Sequence, residues 1–272
     1  MAGQPAGKVL RIVQITDTHL YGKPDARLLE LNTRESLDRV LDLVSEREAT
    51  FDMVLATGDI AQDASEEAYH HFADAIQRFG RPFYWIPGNH DRASVMRRLE
   101  RHAAALEKRI RLGNWQILML DSSVPGEVHG RLKSSELEWL ERMLIEAEAD
   151  DTVQHSLVCL HHNPHPGTAD WMQGIGLHEA ERLLDVLGRH ASVRAVLYGH
   201  IHQELDFEHN GIRYLCSPST CIQFKPGVVD FTLDDRAPAY RWLELGADGS
   251  IDSAVERVPD YDLEVDFNSE GY

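Results

Sequence analysis

The sequence predicts a layered α/β domain. Apolar runs alternate with amphipathic segments up to about residue 200, and the pattern becomes strand-rich beyond it. No repeat, low-complexity stretch or clear linker divides the 272 residues. Strand–helix alternation places helices on the faces of a sheet, and the strand-rich remainder suggests a second sheet packed on the first. One domain is expected over 1–258, followed by an acidic, aperiodic tail over 259–272.

The elements follow in order. "VLRIVQITD" (9–17) reads as a buried strand. Asn32 with Glu35 forms a capping box, and Leu37, Val40, Leu41 and Val44 continue at helical spacing. "FDMVLATGD" (51–59) is the next strand, and Tyr69, Phe72, Ile76 and Phe79 mark a second helix. "FYWIPG" (83–88) is the third strand and "NWQILMLDS" (114–122) the fourth. Ser135 with Glu138 is expected to cap the helix after it. "HSLVCLHH" (155–162) and "VRAVLYGH" (193–200) are the fifth and sixth strands, separated by a helix near 178–190. "ADG" (247–249) marks a later turn. Trp85, Trp139 and Trp242 read as core, and His70–His71 as helix surface.

Composition narrows the partners. The chain carries 27 basic and 45 acidic residues, for a net charge of −18. Such a surface repels phosphate backbones and anionic lipids, so neither nucleic acid nor a membrane is an expected partner. A small anionic substrate stays open, because a bound cation inverts the field locally. Three cysteines (Cys159, Cys216, Cys221) form neither a disulfide framework nor a zinc pair, which suits a reducing cytoplasm. The N-terminal stretch lacks the apolar core of a signal peptide, so a cytoplasmic, unprocessed protein is expected.

The strand ends carry the chemistry. The first delivers Asp17 and His19 ("DTH"), the second Asp59 ("TGD"), and the third Asn89, His90 and Asp91 ("GNHD"). The fifth delivers His161 and His162, and the sixth His200 and His202 ("GHIH"). Each group alone is an ordinary turn. Open α/β sheets bind ligands at the carboxyl ends of their strands, and here five ends supply metal-type side chains together. Imidazole and carboxylate without thiolate suit Fe, Mn, Zn or Co. Seven ligands (Asp17, His19, Asp59, Asn89, His161, His200, His202) exceed one tetrahedral ion and suit two, with Asp59 the candidate bridge. Two divalent ions bring about +4 and two carboxylates remove 2, which leaves a cationic site that attracts phosphate. His162 is expected to support the site, and "HNPHPGTADWMQGIGL" to form a loop over it, with Trp171 packing locally or touching a base.

The order D-x-H, G-D, G-N-H-D, H, G-H-x-H resembles the calcineurin-like metallophosphoesterase superfamily over residues 10–205. "QITDTHL", "LLELNTRESLDRVL", "ATGDIAQDASEEAYHHF" and "SPSTCIQF" are similar to its class III bacterial 3′,5′-cyclic AMP phosphodiesterases. The resemblance implies a four-layer αββα sandwich of two mixed sheets flanked by helices. It implies two divalent ions, iron commonly and manganese as substitute. Asp17, His19, Asp59 and His202 would hold the first. Asp59, Asn89, His161 and His200 would hold the second. Asn89, His90, His19, Asp59 and His202 would touch the phosphate or nucleotide. The implied reaction is hydrolysis of cyclic AMP to 5′-AMP by a metal-activated water, with His90, Asp59 and Asn89 as catalytic groups. Some relatives place an Asp three residues after the bridge to orient the histidine at 90; here that position is Gln62, so Asp63 and Asp91 both remain candidates. Another diester substrate, or a non-catalytic scaffold on the same fold, are the competing readings.

Overall fold

The computed structural model describes residues 9–271. The first eight residues, part of the expected unprocessed N-terminus, and Tyr272 lie outside the described residues. The chain folds as strands β1 (Leu10–Ile15), β2 (Met53–Ala56), β3 (Phe83–Trp85), β4 (Arg109–Leu112), β5 (Trp115–Met119), β6 (His155–Cys159), β7 (Val193–Tyr198), β8 (Leu205–His209), β9 (Ile212–Cys216), β10 (Ala239–Leu245) and β11 (Ile251–Arg257). The main helices are α1 (Thr33–Arg47), α2 (Glu66–Ile76), α3 (Ser134–Glu148) and α4 (Ala180–Gly188).

Two mixed sheets result, ordered β11-β10-β1-β2-β3 and β8-β9-β7-β6-β5-β4. The period-2 alternation of strand side chains sorts them into three cores. Leu10 and Ile12 of β1, Met53 and Leu55 of β2, Leu157 and Cys159 of β6, and Ala195 and Leu197 of β7 fill the space between the sheets. Val13, Ile15, Val54 and Ala56 face outward onto α1 and α2. Val158, Leu160, Val196 and Tyr198 face outward onto α3 and α4. Helix, sheet, sheet, helix: these are the four layers that the resemblance implies.

The strand-rich C-terminal part does not form a sheet of its own. β8 and β9 extend the second sheet through β7, whereas β10 and β11 join the first through β1. Leu243 and Leu245 supply the inward apolar face that β1 needs on that side, so the chain end completes both sheets.

Helix capping follows the sequence at α1, where Asn32 accepts from the Arg34 and Glu35 amides and its side chain meets Glu35 Oε1 at 3.1 Å. It departs at α3, which begins after Lys133 with no side-chain cap. Ser135, expected to cap it with Glu138, lies inside its first turn, and Glu136 of that turn binds the Asp121 amide and Lys108. Trp85 is core, but Trp139 and Trp242 are only partly buried, because Lys108 and Arg11 lie over their rings at 4.1 and 4.4 Å. His70 is also only half exposed, since its Nδ1 meets Nε2 of the buried His102 at 3.0 Å. Tyr261, Leu263 and Val265 of the acidic segment pack on the core, and the Asp266 amide donates to Leu29 O. All three cysteines are buried free thiols.

Candidate metal centre

The parallel strands β1, β2 and β3 of one sheet and β6 and β7 of the other end on one edge, and their next residues converge there. Asp17, His19 and His202 form one group of ligand atoms lying within 4.8 Å of one another; Asp17, Asp59 and His161 form another. His19, Asp59 and His90 form a third. Asp59 Oδ2 stands 3.2 Å from His161 Nε2 and 3.9 Å from His19 Nε2, between the two halves. Asn89 Oδ1 is 3.2 Å from His161 Nε2. The His200 amide donates to Asp17 and so links the two sheets at the edge.

The backbone is forced into this shape. Asp17, His19, Asp59, His200 and His202 all have left-handed φ, between 46° and 71°. Side chains other than glycine avoid that region, at a cost of about 1 kcal/mol or more each. Backbone bonds hold the strain, with the Asp17 amide on Gly58 O and the His19 amide on Asp59 O. Glycines make room for the candidate ligands. A Cβ on Gly58 would lie 2.4 Å from His161 Nδ1, and one on Gly199 would lie 2.4 Å from Asp17 Oδ2.

Each histidine is oriented from behind. His161 Nδ1 donates to Thr57 O at 2.8 Å, and His202 Nδ1 donates to Ile222 O at 2.8 Å. His19 Nδ1 donates to Gln62 Oε1 at 2.6 Å, and His200 Nε2 donates to Ile175 O at 2.9 Å. A carbonyl oxygen only accepts, so in the neutral form of each ring the other nitrogen is a lone pair aimed inward. The consequence is a test of the donor set. The Nε2 atoms of His19 and His202 face each other at 3.1 Å with lone pairs on both. The Nε2 of His161 faces Asp59 Oδ2 and Asn89 Oδ1, acceptors that call for a positive charge between them, a proton on the ring or a metal ion in its place. Cations are therefore favoured at both points, so the residues fit two metal ions.

The electrostatics agree. Burial drives His19 and His200 down to about 3, so both rings are neutral. Burial acts on His161 the same way, but the Asp59 charge and hydrogen bond outweigh it and lift the ring to about 9. Burial raises the Asp59 carboxyl, yet His161 and His90 overcome it and hold it well below the usual carboxylate range. Positive charge is therefore favoured between Asp59 and His161.

Other expected residues take definite places. His162 is fully buried with both nitrogens used, on Ser122 Oγ at 2.8 Å and Val128 O at 3.1 Å, so it pins the 122–130 loop rather than offering a lone pair. Trp171 packs edge-on against Phe224 and Phe231, and Phe224 stacks on His202 at 4.2 Å. His165 packs against Phe207, His209 and Tyr214. Gln62, at the departing position, serves His19. Asp63 accepts from the Gly22 and Ser65 amides, and Asp91 from those of Ile60, Ala61 and Gly88, so both carboxylates tie loops. His90 is half buried at the rim, its amide on Asp59 Oδ1 at 2.9 Å and its ring centroid 4.9 Å from that of His19. Sequence reasoning did not find the supporting groups Thr57, Ile175 and Ile222, which act through main-chain carbonyls and leave no side-chain signal.

The calcineurin-like phosphoesterase family model matches residues 10–204. The chain belongs to that family. It is 46% identical over 265 residues to the 3′,5′-cyclic adenosine monophosphate phosphodiesterase CpdA of Escherichia coli K12, covering 97% of this chain and 95% of that one. It is 41% identical to the CpdA of Pseudomonas aeruginosa, covering 96% and 94%. It is 35% identical to a 3′,5′-cyclic-nucleotide phosphodiesterase of Nostoc, covering 94% and 95%. Among solved structures, a dimetal phosphatase from Danio rerio superimposes with a TM-score of 0.65 at 17% identity, covering 92% of this chain and 99% of that one. A yellow lupin purple acid phosphatase does so with 0.62 at 13%, covering 95% and 53%. These two likenesses concern the fold. The fold of this phosphoesterase implies a dinuclear divalent metal centre, and the converged Asp and His groups are its candidate ligands.

Proposed function

We propose that this phosphoesterase hydrolyses 3′,5′-cyclic AMP to 5′-AMP at a dinuclear metal centre and thereby lowers cyclic AMP in the cytoplasm. The observation that carries the substrate is the 46% identity, along nearly the whole of both chains, to a cyclic AMP phosphodiesterase. Asp17, His19, Asp59 and His202 would hold the first ion, and Asp59, Asn89, His161 and His200 the second, with iron favoured and manganese, zinc or cobalt able to replace it. When bound, the ions would lower the pKa of a water and neutralise phosphoryl charge.

The chain's own groups do the rest. Asp59 keeps Oδ2 between the two halves while its Oδ1 holds the His90 amide, so bridge and rim move together. Asn89 aims Oδ1 at the ligand cluster, which leaves its NH₂ to donate to a phosphoryl oxygen as charge grows there. His90 at the rim protonates the leaving 3′-oxygen, a poor leaving group as an alkoxide. His19 and His202 border the phosphate from the first half. The rows of backbone bonds behind these side chains keep them in place through the reaction.

Chromatography of the product from metal-loaded protein and cyclic AMP tests this reading. 5′-AMP is expected. Production of 3′-AMP, or no turnover by protein carrying both ions while a glycerophosphodiester or another nucleotide-linked diester is cleaved, would move the substrate elsewhere.

A further inference from the structure

Between the sheets, four strands change character at or just past their last inward position toward the ligand edge. β1 runs Leu10, Ile12, then Gln14, and β2 runs Met53, Leu55, then Thr57. β9 carries Leu215 and is followed by Ser217; β10, antiparallel to β1, carries Leu245 and Leu243 and then Arg241 opposite Gln14. The result is a polar layer under the metal centre, with Gln14, Thr57 and Ser217 fully buried and Arg241 1% exposed.

Arg241 is the unusual member. A buried guanidinium is expected to face a carboxylate. Among the described residues its hydrogen-bond partners are neutral instead: Ser217 Oγ at 2.9 Å, Ser253 Oγ at 3.1 Å, Cys216 O at 2.9 Å and Leu205 O at 3.3 Å. The nearby carboxylates are engaged elsewhere, Asp206 by a two-pronged bond to Arg213 and Glu204 by Arg257. A buried cation held only by neutral oxygens does not recommend itself as a stabilising pair.

Its donors do have one specific effect. Arginine only donates, so Ser217 Oγ must accept from it and has its single proton left for Gln14 Oε1. That fixes the Gln14 amide with NH₂ toward Thr57 Oγ1 at 2.7 Å and Tyr198 O at 3.3 Å. A flipped amide would set its oxygen against the Tyr198 carbonyl. Thr57 and Tyr198 are the last residues before the "GD" and "GH" turns, and Thr57 O receives His161 Nδ1–H. Arg241, Ser217, Gln14 and Thr57 Oγ1 are thus joined by one chain of hydrogen bonds, and the main-chain carbonyl of the same Thr57 accepts from the ring that faces Asp59 and Asn89.

We propose that Arg241 is a positioning residue for the second half of the centre: through Ser217 and Gln14 it orients Thr57, and through the Thr57 carbonyl it fixes the tautomer and aim of His161. The inference rests on the assignment of His161 as a ligand of the second ion.

The test is Mn²⁺ titration of metal-stripped full-length protein by equilibrium dialysis, with unfolding midpoints measured alongside. Wild type, His161→Ala, Ser217→Ala, Arg241→Met and Arg241→Lys are compared, and His161→Ala identifies the second site. Arg241→Met and Ser217→Ala should loosen that site by about 10–100-fold, the usual effect of losing a group that orients a ligand, while the first site keeps its affinity. Arg241→Lys, which retains a donor, should recover part of the loss. Ser217→Ala removes one hydroxyl and carries the test should Arg241→Met not fold. Unchanged affinity at the second site in Ser217→Ala, or loosening of both sites in step with lost stability, would overturn the relay and leave the two-metal reading standing. Wild type that takes up a single ion would overturn both.

Discussion

The space between the two sheets has two ends, and they are built from different chemistry on the same strands. At one end Leu10, Ile12, Met53, Leu243 and Leu245 make a dry core. At the other, the same face of the same strands presents Gln14, Thr57 and Arg241, and the loops beyond present Asp17, Asp59 and His161, all buried. The first end gains free energy by removing apolar surface from water. The second spends it, on left-handed backbone at five candidate-ligand positions and on acceptors crowded together. The lesson is that stability and chemistry lie at opposite ends of a single layer, so substitutions at the two ends should fail in different ways.

The largest effect belongs to Asp59, which stands between both halves. Asp59→Ala should lose both ions or nearly all activity, read by elemental analysis and cyclic AMP turnover. Normal turnover would end its assignment as the bridge. Next comes His90. His90→Ala should slow cyclic AMP hydrolysis by ~10²–10⁴-fold with metal content intact. Bis(p-nitrophenyl) phosphate, whose leaving group needs no proton, should suffer much less. Equal losses on both substrates would remove the proton-donor role. Gln62→Leu should weaken the first ion by about 10–100-fold through His19, since the ring loses the acceptor that sets its tautomer. Unaltered affinity would make Gln62 a bystander. At the dry end, Leu243→Ala should cost about 2–5 kcal/mol in denaturant unfolding, with kcat per folded molecule and metal content unchanged. A loss of metal there would break the separation between the two ends.

Sequence carried most of this, but unevenly. β1, β2, β3, β6 and β7 were legible because each is an apolar run that stops on Asp, Asn or His, and the strand period puts the ligands on one edge whatever the loops do. Asn32 was readable as a cap because its partners are three residues away or fewer. Ser135 does not cap α3, because the helix begins at Ser134 after Lys133 and takes Ser135 into its first turn. The pairing of β10 with β1 spans the whole chain and has no local signature. Trp139 and Trp242 looked like core by type, but a cation over each ring lets it sit at the surface. At the site, side-chain ligands were visible and their carbonyl supports were not. Gln62 stands out only as a departure, and its use on His19 is readable from geometry alone.

The central claim is that five strand ends build one centre for two ions. The direct measurement is metal content per chain, by elemental analysis of protein purified without chelator and then of the Asp59→Ala variant. The account predicts close to two transition-metal ions in the wild type, iron among them, and near none in the variant. A fully active wild type holding a single ion would contradict it.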